Sequence, residues 1–150
     1  MPYYDDYPDE GTLLTPRRTI TEGIATMLID GGGLIEPQFV DEVTAQETPL
    51  GWRGIPGRVT FLLSGGLVTR MDLQRLPGNA LAVGVNNVKF TSHVRVGDTL
   101  HVEWTVTEKR LSSKKGYGLV RHSEITRNQK GEAVCTADFV HLVELRPGTY

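Results

Sequence analysis

Side chains able to move a proton are few in this chain and unevenly placed. There are four histidines, and none precedes His93. General acid–base catalysis draws most often on His, Asp and Glu held within reach of the reacting atom. Everything before His93 must therefore rely on groups other than imidazole. His101 alternates with the strand face formed by Leu100, Val102, Trp104 and Val106, so it is expected in solvent. His122 and His141 sit on strands of mixed polarity, and nothing pairs them with metal-ligand spacing. The single cysteine, Cys135, leaves neither an internal disulfide nor a Cys-based metal cluster, and its place on a strand reads as core. No metal and no cofactor is called for. In the helical part of the longest apolar segment the only hydroxyls are Thr60, Ser64 and Thr69.

That segment must position whatever chemistry there is. Thr48–Arg70 opens as a tight loop marked by Gly51, Gly54, Pro56 and Gly57. It continues through Val59, Phe61, Leu62, Leu63, Leu67 and Val68 to Met71 with helical spacing. The run is too long for a strand and too short for a membrane span. Being apolar nearly all round, the helix is expected to be buried. Ser64-Gly65-Gly66 interrupts it. Each glycine in a helix interior costs roughly 1 kcal/mol relative to Ala, tolerable where another backbone or a ligand passes close by.

The remaining chain supplies a sheet. Met1–Pro16 is poor in apolar residues and reads as a flexible arm, or as a segment ordered by a partner subunit. Arg17–Ile20 suits a short strand. Thr21 and Glu22 start a helix that Gly31-Gly32-Gly33 ends. Leu34–Glu47 reads as irregular, with Pro37 barring one continuous helix. After a turn at Pro77-Gly78-Asn79 the period becomes two, with strands around Leu81–Val85, Leu100–Thr107, Leu119–Arg127 and Ala133–Leu145. Gly97-Asp98 and Asn128–Gly131 are turns. One long buried helix followed by an antiparallel meander is an α+β plan, with the sheet curled around the helix.

Composition narrows the classes. At 150 residues the chain suits one domain with a sizeable core. The net charge of −2 and the absence of basic blocks argue against nucleic acid and a membrane surface. The acidic, aromatic start lacks the basic and apolar regions of a secretion leader, so a soluble cytoplasmic protein is expected.

Taken in order, these pieces resemble the MaoC-like dehydratases, the single-hot-dog (R)-specific enoyl-thioester hydratases. Pro37…Val40-Asp41-Glu42 is similar to the end of the hydratase motif G-D-x-N-P-L-H-x-D-E. Thr48–Gly57 is similar to the loop before the family's central helix. Phe90…Val94…Val96-Gly97-Asp98-Thr99 is similar to its F-x-x-P-V-x-x-G-D-T turn, and Asn128–Glu132 to its last hairpin. The resemblance covers roughly residues 17 to 145. It implies a hot-dog domain over 17–147, with an antiparallel sheet wrapped around the helix. Subunits usually join edge to edge as a homodimer, in some cases as a heterodimer or a dimer of dimers. The acyl chain of a CoA or carrier-protein thioester enters near the subunit boundary.

The same resemblance exposes what is missing. The family uses an Asp, and a His five residues later, to orient water and move a proton beside the thioester carbonyl. Those positions hold Leu34 and Phe39, which carry no proton. A Ser of the central helix falls on Gly65, next to Ser64. Gly57 matches the glycine whose backbone polarises the carbonyl, where helix amides and the positive helix end coincide. Substitute groups are Asp30 and Glu36, which flank the lost Asp, and His93, which stands where the family has Pro. The plainer readings are a helix-end residue for Asp30, a solvated loop acid for Glu36 and a surface strand-end residue for His93. Arg58 could meet a ligand phosphate or carboxylate, or an interface acid. Trp52 could line the pocket mouth or pack the loop. Asp41 and Glu42 read as structural.

Three functions stay open on this sequence. One is a divergent enzyme on an acyl thioester or related unsaturated carbonyl compound, with relocated groups or a changed reaction such as isomerisation, cyclisation or dehydration. Another is a non-catalytic subunit completing the acyl tunnel of an active partner. A third is a protein that binds a small hydrophobic ligand without chemistry. A thioesterase is a weaker fourth.

Overall fold

The computed structural model describes residues 3–71 and 80–148. The turn expected at Pro77–Asn79 lies outside them. Six strands form an antiparallel sheet: β1 (Thr12–Leu14), β2 (Arg18–Thr19), β3 (Ala80–Phe90), β4 (Thr99–Leu111), β5 (Tyr117–Arg127) and β6 (Ala133–Glu144). Their order is β1-β4-β5-β6-β3, with β2 also pairing β4. Among the described residues four α-helices lie between β2 and β3: α1 (Glu22–Gly31), α2 (Pro37–Val40), α3 (Glu42–Gln46) and α4 (Gly57–Val68).

Local chemistry explains these boundaries. The Thr21 side chain accepts the Ile24 amide and caps α1. Leu34–Glu47, expected as irregular, contains two short helices. Pro37 starts α2, where its missing N–H costs nothing. Asp41 caps α3, accepting the Val43 amide at 2.9 Å and the Thr44 hydroxyl at 2.6 Å. Gly97 has φ 95°, the left-handed conformation its turn requires. Asp98 in that turn accepts the Arg95 amide and the Gln129 side-chain amide, tying it to the β5–β6 loop.

Trp104, Leu100, Val102 and Val106 face inward from β4, as their alternation predicts. They meet Val59, Leu67 and Val68 of α4, Ala25 and Ile29 of α1, and Val120 and Val143 of the sheet in one core. Two expectations fail here. Residues 3–14 are not a loose arm. β1 pairs with β4, Tyr4 and Tyr7 are buried, and Lys109 Nζ donates to the Tyr7 carbonyl at 2.6 Å. The aromatic residues of this acidic stretch supply the apolar surface that docks it. The central helix is also not buried all round, because Leu62 is 58% exposed. β3 is the sheet edge, and its Leu81, Val83, Val85, Val88 and Phe90 are exposed. Among the described residues no helix is long and apolar enough to cross a membrane.

Candidate functional site

The front of α4 combines free donors with an apolar cavity. The residue before the helix is Pro56, whose side chain makes no capping hydrogen bond. Its carbonyl accepts the amides of Val59 and Thr60 at 2.9 and 3.0 Å. The amides of Gly57 and Arg58 come before these first helical bonds, at the positive end of the helix dipole. Beside them lies a cavity of about 510 Å³ whose lining is mainly apolar: Phe39, Leu50, Ile55, Phe90 and Val134, with Gly57 at the helix start. Thr60, Ser92, His93 and Gln38 add polar groups, and His93 is the one ionisable side chain of that wall. Phe90 lies directly on Gly57, where a β-carbon would come 2.6 Å from the ring.

A second cavity, of about 370 Å³, shares Phe39, Gly54 and Ile55 with the first. It is more polar, lined by Glu22, Asp30, Glu42, Trp52, Arg53 and Arg95 among others. Arg53 bridges Glu22 at 2.8 Å and Glu42 at 3.2 Å, holding α1 and α3 to the loop before α4. These hydrogen bonds hold the Arg53 guanidinium above its ordinary pKa. Trp52 lines the polar cavity and touches a residue from the wall of each cavity. The His93 ring meets it edge-on at 6.5 Å and the Arg95 guanidinium lies over its face at 5.6 Å.

The residues singled out from sequence are therefore dispersed. His93 lines the apolar cavity. Asp30 is exposed and lines the polar one. Glu36 is exposed as the residue before α2 and lines neither. No acid–base pair forms among the three. Phe39 separates the two cavities, while Leu34 packs against the core. Arg58 is exposed and, although it follows Gly57, lines neither cavity. Trp52 borders the polar cavity. Ser64 is 2% exposed and serves the fold: it donates to the Thr60 carbonyl at 2.8 Å and accepts from Thr126 at 2.7 Å. A β-carbon on Gly65 or Gly66 would meet nothing within 4 Å, so no close approach explains these glycines. Asp41 and Glu42 are structural as expected, one as a cap and one as a partner of Arg53.

Sequence reasoning missed a polar row on the inner face of β5. His122, Glu124 and Thr126 alternate there and Asn128 follows in the hairpin loop, all buried. Glu124 is 4% exposed, and burial pushes its carboxyl up to about 7. Burial, with a smaller contribution from His141, pushes His122 down to about 3. His122 Nδ1 stands 3.6 Å from Glu124 Oε1, while His122 Nε2 and His141 Nδ1 are 3.1 Å apart. Neither His122 Nδ1 nor Trp104 Nε1 has a hydrogen-bond partner among the described residues. The i, i+2 spacing along β5 was the available signal. Polar residues usually point outward from a sheet, so residue types alone do not mark this row as an inner face.

Comparison with known proteins fits this architecture. Residues 7–128 match the MaoC like domain. Protein MaoC of Klebsiella aerogenes is 26% identical over 113 residues, which cover 75% of this chain and 33% of that protein. The chain thus spans about a third of that curated relative. Among solved structures, the R-hydratase PhaJ1 of Pseudomonas aeruginosa superposes with a TM-score of 0.74 at 23% identity, covering 96% of this chain and 86% of that one. A Mycobacterium tuberculosis protein with a double hot-dog fold gives 0.79 at 22% identity, covering 99% of this chain and 46% of its own. At such identities the structural likeness speaks for the fold alone, an α+β hot-dog in which the sheet surrounds α4. Together with the match over residues 7–128, it identifies the chain as a member of the MaoC-like domain family.

Proposed function

We propose that the chain binds an acyl thioester, of CoA or a carrier protein, or a related unsaturated carbonyl compound, with its carbonyl at the start of α4. The observation that carries this is the apolar cavity of about 510 Å³ converging on Gly57. An acyl group suits such walls, and the carbonyl oxygen suits amides that no helical bond uses. With Leu34 and Phe39 at the dyad positions, ordinary hydration has no pair to orient water. A proton shift needs less. One base can remove a proton from the carbon between the carbonyl and a β,γ double bond and return it to the γ-carbon, so that the double bond moves to the α,β position while the enolate oxygen is held at the helix start. His93, which lines this cavity, is the base in this reading, and the reaction is an isomerisation within the dehydratase and hydratase type of acid–base chemistry.

The test is turnover and binding across a panel of saturated, α,β-unsaturated and β,γ-unsaturated acyl-CoA substrates, followed by proton exchange beside the carbonyl. His93→Gln is expected to lower turnover at least tenfold while binding persists; Asp30→Ala and Glu36→Ala are expected to leave it near wild type. Full activity in His93→Gln would remove that assignment. Tight binding without turnover would turn the proposal into that of a binding protein.

A second reading rests on the exposed apolar edge of β3. Leu81, Val83, Val85 and Val88 are what a neighbouring strand would cover. We propose that two copies pair there as a homodimer. A different partner chain at the same edge, supplying the missing proton-moving groups, is the alternative. Val85→Lys should shift the wild-type dimer towards monomer in analytical ultracentrifugation; a monomeric wild type would end the homodimer proposal.

A further inference from the structure

The polar cavity beyond Phe39 contains a cation, Arg95, that no carboxylate pairs with among the described residues. Five charged side chains line that cavity: Glu22, Asp30, Glu42, Arg53 and Arg95. Arg53 is paired with both Glu22 and Glu42. Arg95 is different. Its backbone amide is fixed by Asp98 at 3.0 Å, and its guanidinium lies over the Trp52 ring. No carboxylate pairs with it among the described residues. Stacking on an aromatic face holds a guanidinium in place while leaving its edge donors free, which is how arginine presents itself to an anion.

Position gives this cation a role. His93 and Arg95 stand on either side of Val94, whose carbonyl accepts the Ile55 amide at 2.7 Å. His93 lines the apolar cavity and Arg95 the polar one, and both touch Trp52. The two spaces share the wall formed by Phe39, Gly54 and Ile55. A ligand seated in the apolar cavity needs only to cross this wall to reach Arg95.

We infer that Arg95, stacked on Trp52, binds an anionic oxygen group of a two-part ligand whose acyl portion occupies the neighbouring apolar cavity. This rests on the acyl-thioester reading above and adds a charge requirement to it. Asp30 lines the same polar cavity, so the surroundings suit a single anionic group better than a cluster of phosphates. The anion has two possible sources: a carboxylate carried by the acyl part, or a phosphate of the thioester carrier.

Calorimetric titration of the full chain with three thioesters separates these sources. Butanoyl-N-acetylcysteamine is neutral, 4-carboxybutanoyl-N-acetylcysteamine adds a carboxylate, and butanoyl-CoA adds phosphates. At low salt, one of the charged ligands is expected to bind about tenfold more tightly than the neutral one. Arg95→Gln should collapse that difference, Arg95→Lys should keep part of it, and 0.5 M salt should weaken it. The ligand that shows the preference identifies the source. Equal binding of all three thioesters, or a preference unchanged in Arg95→Gln, overturns the inference and leaves the acyl-thioester reading standing. Binding of none of them overturns both. Circular dichroism of Arg95→Gln, an exposed position, checks that the fold is unchanged.

Discussion

The ring of Phe90 rests on the α-carbon of Gly57, so close that a β-carbon there would sit 2.6 Å from the ring. This contact joins the end of the edge strand to the start of the central helix, and both residues line the apolar cavity. A glycine is needed here for space, because a side chain would displace the ring.

Gly57→Ala should therefore push Phe90 aside and reshape the wall beside the helix amides. The expected result is at least a tenfold loss of acyl-thioester affinity with a modest fall in thermal midpoint, measured by calorimetric titration and differential scanning. Pairing the substitution with Phe90→Leu should return part of the affinity. Undiminished binding in Gly57→Ala would mean that the ligand does not use this end of α4.

Gly66 presents the opposite case. It is exposed in the α4 interior, and a β-carbon on it would meet nothing within 4 Å. Gly66→Ala is expected to stabilise the chain by about 0.5–1 kcal/mol, because alanine loses less backbone entropy in a helix. Urea denaturation checks this. A destabilised variant would show that a partner subunit or ligand approaches the helix at this point.

The Ser64–Thr126 hydrogen bond spans helix and sheet in a place closed to water. Ser64→Ala leaves the Thr126 hydroxyl without its acceptor and should cost about 1–3 kcal/mol. Thr126→Val removes the donor instead, leaves Ser64 bonded to the Thr60 carbonyl and should cost less. Adding Thr126→Val to Ser64→Ala should recover part of the loss in chemical denaturation.

Glu124 makes stability depend on pH. Its folded pKa, about 7, lies above the ordinary value of 4.5. The folded state therefore holds a proton that the unfolded chain releases more easily. Stability is lost as pH rises from about 4.5 to about 7, by up to about 1.4 kcal/mol per pH unit, and levels off above that. Glu124→Gln removes this dependence. The stability gap between variant and wild type should widen across the same window in denaturation series. His122, depressed from 6.5 to about 3, acts in the other direction: stability falls as pH drops below 6.5. A gap between Glu124→Gln and wild type that stays constant from pH 4.5 to 7 would contradict burial as the cause.

Much of the architecture follows from the residues alone. Gly54–Gly57 followed by an apolar helical run determines where α4 begins, and the alternation Leu100, Val102, Trp104, Val106 determines the buried face of β4. Thr21 and Gly31–Gly33 bracket α1, and no imidazole precedes His93. These features are local, or repeat with the period of one element, so they are written along the chain. Tertiary structure decided what depends on residues far apart. It sent Thr126 to Ser64, buried Glu124 beside His122, docked Tyr4 and Tyr7 onto the sheet, and left β3 an open edge. It also divided the candidate residues between two cavities on either side of Phe39, with Trp52 touching both His93 and Arg95. Burial and neighbourhood come from long-range strand pairing and from the packing of a helix across a sheet, and these decide which polar groups are free to meet a ligand.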